Sequence, residues 1–72
     1  MSTNVEIGIW INGESRTVPG RQTVAQLLEA LQIEGARVAV ELDRRIVKPQ
    51  DWATTSLQDG SRLEIVQFVG GG

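Results

Sequence analysis

Gly70, Gly71 and Gly72 close the sequence, directly after the regular apolar run "EIVQFV". Glycine has no Cβ and loses more backbone freedom on ordering than any other residue. Three in a row make a filament thin enough for a channel that would exclude any side chain. Gly72 carries the α-carboxylate, with an ordinary pKa of about 3.5, so it is ionised and nucleophilic at neutral pH. The chemistry this allows is delivery of a terminal carboxylate into another protein's active site while the domain stays outside. The plain alternative is a frayed end, which is common at termini. A phosphate-cradling loop does not fit, because its glycines lie between a strand and a helix N-terminus.

The side chains offer little to compete with that terminus. The 72 residues include no cysteine and no histidine. Disulfides, thiolate chemistry, the usual zinc sets and histidine-activated nucleophiles are all excluded together, and no metal site or catalytic set is expected. Glu41 and Asp43 would share one face of a strand, but read best as a solvated edge and a turn residue. Arg44 and Arg45 read as surface residues flanking that turn. Seven basic against nine acidic residues leave a net charge of −2, which argues against a nucleic-acid partner. The first ten residues lack the basic and apolar regions of a signal peptide. No apolar run approaches membrane-spanning length, so a cytoplasmic protein with no membrane partner is expected.

The elements that must position the terminus follow from periodicity. Val5, Ile7, Ile9 and Ile11 alternate with Glu6, Gly8 and Trp10, the period of a strand. Asn12-Gly13 is a strong hairpin signal, since both central residues of a type I′ turn need positive φ. "SRTV" can return as the second strand, as far as Pro19-Gly20. Val24, Leu27, Leu28 and Leu31 then form one apolar helix face. Thr23 and Gln26 have capping-box spacing, and Gly35 is placed for a left-handed C-terminal cap. "ARVAVEL" alternates again, with Val38, Val40 and Leu42 on one side. Asp43-Arg44-Arg45 reads as a turn before a short strand, and Pro49 as the start of a helical turn carrying Trp52 inward. After a turn at Asp59-Gly60, "RLEIVQFV" reads as the last strand.

The expected class is α+β, in the order β-β-α-β-β-β, with one main helix packed across one face of a mixed sheet. This resembles the β-grasp, the ubiquitin-like fold. Residues 1–68 would form the domain and residues 69–72 a flexible tail. A chain this short buries only about 60% of its unfolded surface. The helix-facing side chains would be Val5, Ile7, Ile9, Leu27, Leu28, Leu31, Val38, Val40, Leu63 and Ile65. Trp10, Val66 and Phe68 would point the other way, as a candidate contact surface.

Along nearly its whole length the sequence resembles the ThiS family, the sulfur carriers of thiamin biosynthesis. The likeness is carried by "INGE", "TVAQLLEAL", "VAVELDRRIVKPQDW" and "DGSRLEIVQFVGGG". It departs from the familiar family pattern at Asp43-Arg44, where asparagine is usual, a change confined to a turn.

The resemblance implies a protein cosubstrate and not an enzyme. Gly72 would be adenylated by a ThiF-like adenylyltransferase of the ubiquitin-activating type, using ATP and Mg. It would then become a thiocarboxylate with sulfur drawn from a cysteine desulfurase. A ThiG-like thiazole synthase would accept that sulfur. Gly70 and Gly71 would thread the partners' active sites, and Trp10, Val66, Phe68 and Val69 would form the docking interface. The carrier alone would be a monomer and would bind no cofactor. Two other readings share the activation chemistry: a sulfur carrier of the molybdopterin type, and a ubiquitin-like modifier forming isopeptide bonds. Fold alone does not separate them.

Overall fold

The structure is a computed structural model that describes residues 5–34 and 37–68. Five strands form one sheet: β1 (Glu6–Ile11), β2 (Glu14–Pro19), β3 (Val38–Leu42), β4 (Arg45–Val47) and β5 (Arg62–Gln67). The spatial order is β2-β1-β5-β3-β4. β1 runs parallel to β5, and the other three pairings are antiparallel. One helix, α1 (Val24–Ala30), and a 3₁₀ turn (Pro49–Thr54) complete the β-grasp order. The last strand is therefore the middle one. β5 lies between β1 and β3, paired with β1 over its first residues and with β3 as far as Gln67.

Local chemistry explains most boundaries. Asn12 (φ 51°) and Gly13 (φ 86°) make the first hairpin turn. Asp43 and Arg44, at φ 49° and 69°, make a second two-residue turn, so that Arg45 opens β4 and is not part of the turn. At the start of α1 the Gln26 N–H donates to Thr23 Oγ1 (3.1 Å), and the Thr23 N–H donates to Gln26 Oε1 (3.0 Å). Both bonds of the capping box are present.

The helix stops sooner than its apolar stripe suggests. Leu31 is its C-cap, and Gln32 takes the left-handed conformation at φ 58°. The Gln32 N–H donates to Glu29 O and the Ile33 N–H to Leu28 O, the paired bonds of a Schellman motif. Ile33 packs back against the core, and that apolar contact places the end of α1. Gly35, where the cap was expected, lies outside the described residues.

The core lies between α1 and one sheet face. Ile9, Leu27, Leu28, Val38, Val40, Leu63 and Ile65 are buried as their alternation predicts, with Val24 beside them. Trp52 is buried too, and its Nε1–H donates to Val47 O at 2.9 Å. Val5 departs from expectation, being 64% exposed. Val5 lies one residue before β1 begins, its carbonyl paired with the Gly20 N–H and its side chain outside the core. Val18 and Leu57 join the core although no pattern marked them. The segment holding Leu57 runs beside the start of α1, where the Val24 N–H donates to Thr55 O and the Leu57 N–H to Gln22 O.

Candidate functional site

The sheet face away from α1 is where the sequence placed its contact residues. Trp10 is 41% exposed, Val66 51% and Phe68 57%. All three are on that outer face, but not in one patch. Trp10 stands opposite Arg62 in the parallel pairing, and the Arg62 guanidinium carbon lies 5.7 Å from the centre of its ring. Val66 is four residues further along β5, roughly 13 Å at strand rise. Between them are Glu64 and, directly across on β3, Glu41. The apolar ground at the end of β5 is Val66 and Phe68, with Ala39 opposite Val66. Trp10 marks the far end of the same face.

The carboxylates do not converge on a reactive centre. Asp43 Oδ1 accepts the Arg62 N–H at 3.0 Å, and the Asp43 N–H donates to Arg62 O at 2.7 Å. Asp43 thus pins the start of β5 from the β3 side. Glu41 faces Glu64 across the sheet, and Arg44 and Arg45 are exposed around the second hairpin. Among the described residues no group of three acidic side chains is close enough to hold a metal ion.

Two side-chain clamps, neither expected from sequence, fix the central strand. The parallel β1–β5 ladder, Trp10 with Arg62 and Ile11 with Leu63, is preceded by a clamp at Gly8, whose N–H donates to Asp59 Oδ1 (2.8 Å) and whose carbonyl accepts the Gly60 N–H (2.7 Å). It ends at Asn12, whose Oδ1 accepts the Ile65 N–H (2.8 Å) while Nδ2 donates to Ile65 O (3.1 Å). Asn12-Gly13 and Asp59-Gly60 are sufficiently explained by their turns, so the sequence carries no separate signal for these bonds. On the other edge of β5, the Phe68 N–H donates to Arg37 O at 2.8 Å. The backbone is therefore held in register through Phe68. Val69, Gly70, Gly71 and Gly72 lie outside the described residues.

The described geometry provides a central strand whose backbone is paired through Phe68, with the apolar side chains of Val66 and Phe68 exposed at its end. Residues 9–72 match the family model described as ThiS family. The chain is 33% identical over 64 residues to the sulfur carrier protein ThiS of Escherichia coli, covering 89% of this chain and 97% of that protein. It is 44% identical over 62 residues to a thiazole synthase of Paramagnetospirillum magneticum, covering 86% of this chain but 19% of that protein. The chain thus spans about a fifth of the thiazole synthases that it matches. The crystal structure of a thiamine biosynthesis protein (ThiS) from Geobacter metallireducens superposes with a TM-score of 0.79 at 32% identity, covering 92% of this chain and 100% of that one.

Proposed function

The chain belongs to the ThiS family, and from that premise we propose that it is a sulfur carrier for thiamin biosynthesis whose working group is the Gly72 carboxylate. The observation that carries this reading is the extent of the match. It runs from β1 through all three terminal glycines, and it covers nearly the whole of a ThiS sulfur carrier.

On this reading the carrier works in three steps, with the catalytic groups on its partners. A ThiF-like adenylyltransferase supplies ATP and magnesium. The Gly72 carboxylate oxygen attacks the α-phosphorus and pyrophosphate leaves, giving an acyl-adenylate. A persulfide from a cysteine desulfurase attacks the acyl carbon and AMP leaves. A second thiol then cleaves the sulfur–sulfur bond, forming a disulfide and freeing the thiocarboxylate on Gly72. Thiazole synthase is the acceptor, a pairing supported by the relatives of that name that include a segment like this chain. ATP-dependent activation fits a cytoplasmic carrier. Among the described residues no helix is long and apolar enough to cross a membrane.

The chain's own part is positioning. Gly70 and Gly71 present no Cβ to a narrow channel, while the domain stays outside. Val66 and Phe68, with Val69 beyond them and Trp10 at the far end of the face, form the docking surface. Sulfur resides on a main-chain carbonyl, so the absence of cysteine costs the carrier nothing.

The test is intact mass after incubation with ATP, magnesium, the adenylyltransferase and a sulfide source. A gain equal to replacing one oxygen by sulfur, mapped to Gly72, is the expected result. No gain, with the partner shown to be active on another carrier, would refute the proposal. Sulfur transfer to a molybdopterin precursor, or an isopeptide-linked product, would redirect it to the corresponding alternative.

A further inference from the structure

Peptide groups in an extended strand alternate sides from one residue to the next. The Phe68 N–H turns toward β3, where Arg37 O accepts it. The N–H and C=O of Gln67 therefore turn the other way, to the side on which Leu63 and Ile65 face β1. There, Leu63 O accepts the Asn12 N–H at 2.9 Å, and Asn12 also pairs with both groups of Ile65 through its side chain. But β1 has ended at Ile11 and the chain has turned back at Asn12-Gly13. Among the described residues nothing pairs with the N–H and C=O of Gln67 on that side. The central strand of the sheet becomes an edge strand at its last residue.

An open strand edge is a template for another extended chain. Its occupant must lie within reach of the terminus, and of the proposed partners thiazole synthase is the one whose relatives include a segment like this chain. Four residues, 69 to 72, separate Phe68 from the carboxylate, and fully extended they span roughly 14 Å at most. An enzyme that takes Gly72 into its active site must bring its own backbone at least that close to the open edge. We propose that Gln67 receives an extended segment of thiazole synthase, which adds to β5 as a strand and pairs with the Gln67 N–H and C=O. Strand addition draws affinity from main-chain hydrogen bonds. It would also fix the register of the tail, and so how deeply Gly72 enters. This rests on the sulfur-carrier reading and goes beyond it by separating backbone recognition at Gln67 from side-chain docking at Val66 and Phe68.

The test uses the full chain made by chemical synthesis, with the amide between Val66 and Gln67 replaced by an ester. That change removes one N–H and leaves every side chain intact. It also weakens the Val66 carbonyl that faces β3, a loss that the melting temperature would report. Binding to thiazole synthase is measured for the unaltered chain, the ester chain and Gln67→Ala. The ester chain is expected to stay folded and to bind about tenfold more weakly, the effect of one hydrogen bond. Gln67→Ala is expected to bind like the unaltered chain. Equal dissociation constants for the folded ester and unaltered chains would overturn strand addition alone. Failure of the unaltered chain to bind would overturn both the inference and its proposed thiazole synthase partner.

Discussion

The carboxamide of Asn12 pairs with both backbone polar groups of Ile65, 53 positions away, accepting from its N–H at 2.8 Å and donating to its carbonyl at 3.1 Å. A primary amide offers a donor and an acceptor in the same plane, as a peptide group does. Asn12 therefore continues β1 by one more rung after the backbone has turned away at φ 51°. One residue closes the first hairpin and steadies the strand that leads to Gly72.

That double role gives Asn12→Gly the opposite sign from the one that turn preference alone would give it. Glycine suits positive φ better than asparagine, so if only the turn mattered Asn12→Gly would be neutral or stabilising. The clamp predicts a loss of about 1–3 kcal/mol, because the half-buried groups of Ile65 lose their partners. Chemical denaturation of the two chains decides it, and a more stable glycine variant would show that the clamp is idle.

A second constraint holds the other end of the hairpin. The Gly20 N–H donates to Val5 O, and a Cβ added at Gly20 would come within 2.7 Å of that same oxygen. The atom it meets is backbone, which cannot swing aside as a side-chain tip would. Gly20→Ala should cost about 1–3 kcal/mol, the range for forced overpacking. Thermal melting would show it as a lowered midpoint, whereas an unchanged midpoint would mean that the end of β2 moves freely from the segment before β1.

Legibility in the sequence tracked the range of the interaction. Thr23 and Gln26 are three residues apart and their capping box was readable, as was the alternation that buries Ile9 and exposes Val66. Where distance along the chain mattered, the pattern was silent. It showed that Trp10 and Val66 share a face, but the parallel register of Trp10 with Arg62 is what sets them roughly 13 Å apart. It did not reveal the Asn12 and Asp59 clamps, whose partners are more than 50 positions away. Leu57 lies in a segment with no period, and alternation alone extends the strand pattern to Val5 although β1 begins after it. The cap at Gln32, before the expected Gly35, follows from Ile33 turning back to the core. A conformational preference yielded there to an apolar contact.

Phe68 tests the proposed docking surface. It is 57% exposed, its side chain is on the face opposite α1, and its backbone bond to Arg37 O does not depend on the side chain. Phe68→Ala should therefore leave stability within about 0.5 kcal/mol. Binding to the adenylyltransferase or thiazole synthase should fall by about 1–2 kcal/mol, as for an aromatic anchor in an interface. Titration calorimetry and thermal melting on one preparation give both numbers. A large loss of stability with unchanged affinity would mean that Phe68 packs against its own domain and that docking lies elsewhere.

The terminus is the most exacting test, because in the proposed chemistry position is everything and packing nothing. One alanine added after Gly72 moves the carboxylate onward by roughly 3.5 Å and puts a Cβ where the proposed channel admits none. The domain from Val5 to Phe68 keeps its sheet, its two clamps and its core. The extended chain should therefore melt with the unaltered one, yet gain no sulfur when incubated with ATP, magnesium, adenylyltransferase and a sulfide source. Loss of both folding and sulfur would leave the terminus unproven as the cause, so the melt must be run on the same sample. If the extended chain folds and still acquires sulfur at its new end, the partner tolerates both displacement and a methyl group. The thin glycine approach would then not be what selects this carrier.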